Sequence, residues 1–282
     1  MAAALQLLRA RRKVLIVDGG QRRNRFASHA HAFLTQDGVD PAEIARIARA
    51  QLQAYPTLTW IDGQVVSASG KKDAFEVVLA TGQTHSGRRL LFATGVADHL
   101  PQVPGLTERF GQTVFLCPYC HGYELDQGEI GVIATGPMSV HQAQLLPEWG
   151  RVTFLTNGAL TLDPDTRRDL LSRGVTIVET PVERLQGEAD VLLTDGRILN
   201  FAGLFTASRS TPSNDVAERM GCEMMENAMG VQLRTSDGKE TSIPGAYACG
   251  DVARMPHSLS LAVGDGAWAG ANLHRSLVFP DA

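Results

Sequence analysis

The sequence is poor in cysteine and lacks both a long apolar run and an excess of positive charge. Four cysteines in 282 residues, two of them isolated at Cys222 and Cys249, do not make the framework of a small secreted domain. No apolar stretch approaches the roughly 20 residues that a membrane-spanning helix needs. The formal net charge of −4 gives no general attraction to nucleic-acid phosphates. We therefore expect a cytoplasmic globular protein with neither a membrane nor a nucleic-acid partner.

The first residues, MAAALQLLRARRK, also lack the pattern of a secretory signal. They are apolar first and basic second, and no cleavage site follows them. A mitochondrial transit peptide stays open, because the segment is rich in arginine and free of acids. The interpretation we favour is an ordinary helix that runs straight into a strand.

Helices and strands alternate along the chain in two blocks. KVLIVDGG (13–20) is typical of a buried strand that ends at a glycine turn, and Pro41 behind Asp40 begins a helix over 40–55. The second block repeats strand, turn, helix and strand over 130–156, and a last helix is expected over 258–276. The pattern predicts an α/β protein with two Rossmann-like, three-layer nucleotide-binding domains, the tail of the chain returning to the first.

Polar or small residues follow several of the predicted strands. Asp18 ends the first strand, where an acid accepts hydrogen bonds from a ribose hydroxyl. ATG (93–95) and ACGD (248–251) each follow an apolar run, and their small residues would let the backbone approach a ligand. Each segment alone is also compatible with an ordinary turn. Together they indicate a nucleotide site.

The second block contains a degenerate form of the glycine-rich G-x-G-x-x-G turn, at residues 134–139. Its place between a strand and a helix would turn backbone N–H groups towards a pyrophosphate. The next strand ends in Thr156, Asn157 and Gly158, with neither an acid for a ribose hydroxyl nor an adjacent arginine for a 2′-phosphate. Arg167 and Arg168 lie ten residues further on. The sequence therefore leaves open whether the protein uses NADPH, NADH or no nicotinamide cofactor.

Cys117 and Cys120 are separated by two residues, in CPYC. A structural zinc site needs about four ligands, and the chain offers no second pair, so we expect no metal. Two thiols at this spacing can close a disulfide, and the imidazole of His121 can hold or deliver the proton that thiol exchange requires. The pattern favours a redox-active disulfide.

Six segments in the same order resemble the low-molecular-weight thioredoxin reductases, in the pyridine nucleotide–disulfide oxidoreductase superfamily. They are VLIVDGGQRRN, ATG, CPYCHGYE, GVIATGPMSVHQA, TSIPGAYACGD and AVGDGAWAGANL. CPYCHGYE in particular resembles the branch with the gliotoxin- and holomycin-type dithiol oxidases. The resemblance implies a homodimer and an FAD-binding domain split between residues 1–113 and 242–282. It places an inserted NAD(P)-binding domain at 114–241, carrying the cysteines.

The resemblance also implies residue roles. Cys120 would face the flavin, Cys117 would exchange with the substrate, and His121 occupies the place of an acidic proton donor. FAD contacts are implied at Asp18 (adenosine ribose), Gln21 and Asn24 (phosphates), Gly19, Gln36, Asp37, Val66, Thr94, Gly95, Gly250, Asp251 (ribityl and pyrophosphate), His257 and Ser258. NAD(P)H contacts are implied at Thr135, Gly136 and Ser139.

Three functions follow from these roles. In a reductase, NAD(P)H reduces the flavin, the flavin reduces the cysteine pair, and Cys117 attacks a protein or small-molecule disulfide. In a dithiol oxidase the electrons run the other way, and dioxygen reoxidises the flavin. The third function belongs to a different class: a nucleotide-binding or regulatory relative without turnover and with impaired FAD binding.

The family's first strand and its glycine-rich loop should stand directly before AAALQLLRARRKVLIVD, where this chain has only Met1. That strand is central in a doubly wound sheet, and its loop faces the pyrophosphate. We therefore expect the natural protein to begin about a dozen or more residues upstream. We expect this chain to hold FAD weakly or not at all, with residues 1–12 still forming a helix.

Overall fold

The computed structural model describes residues 1–280 and shows the α/β class that the sequence predicts. The helices are α1 (Ala2–Arg9), α2 (Pro41–Gln53), α3 (Pro118–His121), α4 (Met138–Leu145), α5 (Pro164–Ser172), α6 (Val216–Arg219) and α7 (Leu259–Val278). Among these described helices, none is both long and apolar enough to cross a membrane.

The strands are short and belong to several sheets. In chain order they are β1 (Val14–Asp18), β2 (Leu58–Asp62), β3 (Val65–Lys71), β4 (Ala74–Leu79), β5 (Thr84–Gly87), β6 (Leu90–Phe92), β7 (Val96–His99), β8 (Val114–Phe115), β9 (Glu129–Ile133), β10 (Arg151–Leu155), β11 (Thr176–Val178), β12 (Val182–Gln186), β13 (Asp190–Leu193), β14 (Ile198–Leu199), β15 (Gly203–Thr206), β16 (Arg209–Pro212), β17 (Met224–Asn227), β18 (Gly230–Leu233) and β19 (Ala246–Ala248).

A parallel five-stranded sheet, in the order β11-β10-β9-β15-β8, forms the centre of the second block. The inner positions of its strands are apolar because both faces of the sheet are covered, as parallel sheets require. Ile130, Phe154 and Phe205 are fully buried in it. The predicted strand, helix and strand of this block are β9, α4 and β10.

The first block has its parallel strands in two separate pairs, β1–β2 and β6–β19. In residues 1–280, no backbone hydrogen bond joins one pair to the other. Packing of α1 on α7 helps to connect them. A Cβ added to Gly270 would lie 2.5 Å from the carbonyl oxygen of Ala3, so glycine permits this close approach. The helix predicted for residues 1–12 is therefore present and docked.

The predicted domain limits stay a prediction, and the contacts favour a different end for the inserted unit. The strand β16 pairs with β7 and β18, and β18 pairs with β17. Val216 and Leu233 lie in one hydrophobic cluster with Phe75 and Phe92 of the first block. We propose that the chain returns to the first unit near residue 208, before the predicted position 242.

Candidate active site

A cavity of about 2430 Å³ lies where the chain leaves β1, β6 and β19, and the cysteine pair also lines it. β1 ends in Asp18, β6 is followed by Thr94 and Gly95, and β19 by Gly250 and Asp251. Nucleotides bind outside the carboxyl ends of parallel strands, because loops and N–H groups are exposed there. Ordinary ligand pockets measure about 300–1,000 Å³. This cavity has room for an extended cofactor and a substrate.

Most of the predicted FAD-contacting residues line this cavity, and three do not. Those in the lining are Asp18, Gly19, Gln21, Asn24, Thr94, Gly95, Gly250, Asp251, His257 and Ser258. Gln36, Asp37 and Val66 lie outside it. The carboxylate of Asp37 accepts from the Ala32 N–H at 2.8 Å, and the Val66 carbonyl accepts from Arg219 at 2.7 Å. Asp37 and Val66 therefore make contacts within the protein, outside the cavity lining.

An arginine that sequence reasoning missed, Arg23, links both sides of the cavity. Its Nε and Nη2 donate to the Asp98 carboxylate at 2.8 and 2.6 Å, and its Nη1 donates to Asp251 at 3.1 Å. Asp98 also accepts from Ser208 at 3.0 Å. The QRRNR stretch after the glycine turn was a visible signal of basic residues here, but nothing local in the sequence pairs Arg23 with Asp98.

His257 provides an unused donor in the cavity wall. Its Nδ1 lies 2.7 Å from Nη1 of Arg23, which can only donate, so Nδ1 accepts and Nε2 carries the proton. That Nε2 is buried without a hydrogen-bond partner among the described residues. Burial lowers the pKa of His257 more than the Asp251 carboxylate raises it, which keeps the ring neutral. A buried, unpartnered N–H suits a ligand with acceptor atoms, as FAD has.

Replacing Arg23 with alanine is expected to destabilise the fold by about 3–5 kcal/mol. The Asp98 side chain is only 6% exposed, so the substitution leaves a buried carboxylate without its cation. The measurement is the free energy of unfolding in urea. Arg184→Ala is the matched control, because that arginine is half exposed and pairs with an exposed neighbour, Glu183. The control should lose less than about 1 kcal/mol, and an equal loss in both variants would contradict the prediction.

Cys117 and Cys120 are joined as a disulfide, with their Cα atoms 5.3 Å apart. Cys117 is the N-cap of α3 and Pro118 opens the helix, so the turn brings Cys120 back over its partner. The Cys120 N–H donates to the Cys117 carbonyl at 3.2 Å. Gly122 lets Trp149 pack on this turn, since a Cβ there would lie 2.6 Å from the indole ring.

The other two cysteines are not paired, although Cys249 also lines the cavity. Cys222 and Cys249 are buried and free. Burial raises the pKa of the Cys249 thiol to about 11, and burial also raises that of Cys222, so both stay protonated and unreactive near neutral pH. No group of three or more potential metal ligands occurs among residues 1–280.

His121 follows Cys120 directly and lies in the wall of the same cavity. Its ring stacks on Phe115, with centroids 4.3 Å apart and planes 19° apart. Burial lowers the pKa of His121 to about 4; the charge of His31 adds to the fall and Glu124 opposes it. The imidazole is therefore neutral at pH 7 and can accept a proton.

The predicted nicotinamide contacts come together in the turn between β9 and α4, outside the large cavity. The Ser139 hydroxyl is fully buried and accepts from the Thr135 N–H at 2.9 Å. A pyrophosphate bound at this turn would need the same N–H as a hydrogen-bond donor. The two arginines considered for a 2′-phosphate are also engaged: Arg167 pairs with Glu179, and Arg168 with Asp165.

Comparison with known proteins gives concordant matches. The family described as pyridine nucleotide-disulphide oxidoreductase matches residues 1–266. Thioredoxin reductase aclD of Aspergillus oryzae is 30% identical, over 100% of this chain and 94% of its own. Thioredoxin reductase sirT of Leptosphaeria maculans is also 30% identical, over 97% and 90%. The crystal structure of an oxidoreductase from Agrobacterium tumefaciens is 51% identical with a TM-score of 0.97, covering 99% of this chain and 95% of that one.

Proposed function

Because the chain belongs to the pyridine nucleotide-disulphide oxidoreductase family, we propose that it uses FAD to exchange electrons with the Cys117–Cys120 pair. It is a thioredoxin reductase-like enzyme that acts on sulfur groups. The observation that carries this proposal is the shared cavity, which brings the disulfide together with Asp18, Gly95 and Asp251. The substrate is a protein or small-molecule disulfide or dithiol. We propose a homodimer, as the family resemblance implies, located in the cytoplasm, as the composition suggests.

The residues in the cavity fit an FAD molecule. The carboxylate of Asp18 suits ribose hydroxyls, and the Nε2–H of His257 suits an acceptor atom. When bound, FAD supplies or removes an electron pair. Cys117 exchanges with the substrate sulfur, and His121 moves a proton at the sulfur of Cys120. The cavity wall holds the cysteine pair and His121 beside the residues that would contact FAD.

The dithiol oxidase is the second candidate, and the nicotinamide turn favours it. With its N–H already bonded to Ser139, Thr135 offers no free donor to a pyrophosphate. Arg167 and Arg168 carry carboxylate partners in place of a phosphate. An enzyme in which dioxygen takes the electrons from reduced flavin needs no nicotinamide site.

The visible spectrum of the protein reconstituted with FAD tests both candidates. The flavin absorbance is followed under nitrogen after adding NADPH, NADH or dithiothreitol. Bleaching by a nicotinamide supports the reductase, and bleaching by the dithiol alone, reversed by air, supports the oxidase. If the flavin of the reconstituted protein responds to none of the three reductants, the catalytic proposal is wrong and the non-catalytic class is favoured.

Ser139→Ala is expected to tighten NADH binding by roughly threefold to tenfold, because it frees the Thr135 N–H, and one hydrogen bond contributes about 0.5–1.5 kcal/mol. The dissociation constant is measured by the quenching of NADH fluorescence. Ser172→Ala on α5 is the control, since its hydroxyl donates only to the Asp169 carbonyl nearby. If Ser139→Ala binds NADH no better than the parent, the hydroxyl does not block this turn.

A further inference from the structure

His31 lies between the half-buried His121 and two carboxylates that reach water. Its Nδ1 is 3.4 Å from Oε1 of Glu124 and 3.7 Å from Oδ1 of Asp37. Its ring centroid is 6.4 Å from that of His121. The His31 side chain is 18% exposed, whereas Glu124 is 41% and Asp37 is 71% exposed. An imidazole thus connects the interior of the site with groups in solvent.

The two ends of this connection come from distant parts of the chain. His31 and Asp37 belong to the loop between β1 and α2, and His121 and Glu124 follow the cysteine turn. Of the titratable side chains, His121, Glu124, Asp37 and His29 face His31; the His29 ring centroid lies 6.2 Å away. Among these, only His121 is next to a redox cysteine in sequence.

The exchange reaction requires proton movement at this place. A substrate thiolate attacks the Cys117 sulfur, the Cys117–Cys120 bond breaks, and Cys120 leaves as a thiolate. The second substrate thiol, after losing its proton, attacks the first substrate sulfur and releases Cys117. The substrate dithiol becomes a disulfide, the protein disulfide becomes a dithiol, and two protons pass from substrate to cysteines. Phe115 stacks on one face of His121, so a proton enters or leaves this imidazole through the nitrogens at the edge of the ring.

We propose that His31 is a positioning residue that carries protons between His121 and solvent through Glu124 and Asp37. The inference rests on the proposed function. An imidazole can take up a proton on one ring nitrogen and release it from the other, which suits a relay. A single bridging water, or a small ring rotation, spans the gap between the two histidines.

His31→Gln tests the relay without any flavin. The rate at which dithiothreitol reduces the Cys117–Cys120 disulfide is measured from about pH 5 to about pH 9. We expect the variant to be slower by about tenfold, with a flatter pH profile, and to recover as imidazole is added. His29→Gln, in the same loop, should stay within about twofold of the parent. Glu124→Gln, at a more exposed position, should show a smaller loss that imidazole also restores.

Each outcome supports or contradicts the proton relay through His31. If His31→Gln matches the parent at every pH while His121→Ala is slow, the relay is wrong and the proposed function stands. A slow His31→Gln variant that imidazole does not restore shows a structural role and also overturns the relay. If the parent disulfide reacts no faster than that of an unstructured CPYC peptide, the proposed function fails, and the relay fails with it.

Discussion

Replacing Cys117 with serine is expected to slow disulfide exchange by at least about a thousandfold, because a thiolate is the nucleophile and a serine hydroxyl does not ionise near neutral pH. The same variant should keep any reduction of its flavin by a nicotinamide. Cys120→Ser should break the connection between flavin and dithiol but leave a nucleophile at Cys117. It should therefore accumulate a mixed disulfide with the substrate, visible by mass spectrometry.

The control for both variants is Cys222→Ser. Cys222 is buried and lies in a cluster with Phe75 and Leu233, outside the cavity lining. Its replacement should leave exchange within about twofold of the parent. Turnover of Cys117→Ser and Cys120→Ser at the rate of the parent would end the redox interpretation of this pair.

Replacing His121 with alanine is expected to slow exchange between dithiol and cysteine pair by about 10²–10⁴-fold, the usual contribution of a general acid or base. Binding of FAD should change far less, because the imidazole serves proton transfer. The measurement is stopped-flow kinetics of disulfide reduction beside a flavin titration. His141→Ala is the control, since His141 is an exposed residue of α4 outside the cavity. Rates within twofold of the parent at every pH would mean that His121 is only a loop residue.

The pH dependence of stability gives His121 a second signature. Its pKa is lowered from 6.5 to about 4, mainly by burial, so the folded protein disfavours the charged ring. The unfolded chain takes up this proton first as the pH falls, and stability is lost between pH 6.5 and about 4. Above that window the contribution is constant. His121→Ala should remove this part of the loss, and an unchanged slope in urea unfolding would contradict it.

Much of the fold follows from short-range patterns in the sequence. The strand predicted at 13–20 is β1, and the helix predicted at 40–55 is α2, where Asp40 accepts from the Ala42 N–H at 2.6 Å. The cysteine pair and its disulfide were visible for the same reason, since the residues that close it lie within one turn. Local spacing is sufficient for such features.

Contacts between distant residues could not be predicted in this way. Arg23 meets Asp98 and Asp251, which lie 75 and 228 positions away. The pairing of β16 with β7 links positions more than a hundred residues apart and leaves no periodic signal. Whether the Ser139 hydroxyl accepts from the Thr135 N–H depends on the rotamer of Ser139, which the sequence does not show. Sequence patterns indicate which segments form the site but not which of their donors are already used.

In hydrogen-exchange experiments, we expect the pairs β1–β2 and β6–β19 to open separately, because no backbone hydrogen bond among residues 1–280 joins one pair to the other. A continuous hydrogen-bonded ladder ties the five strands of the other sheet into one cooperative block, but none joins these two pairs. The amides of β1 and β2 therefore depend for protection on side-chain packing of α1 and α2, around Leu8 and Leu52. A dinucleotide held by Asp18 and Asp251 would contact both parts, since both residues line the cavity. Binding of such a dinucleotide should therefore slow amide exchange in both strand pairs, including at amides that the ligand does not contact.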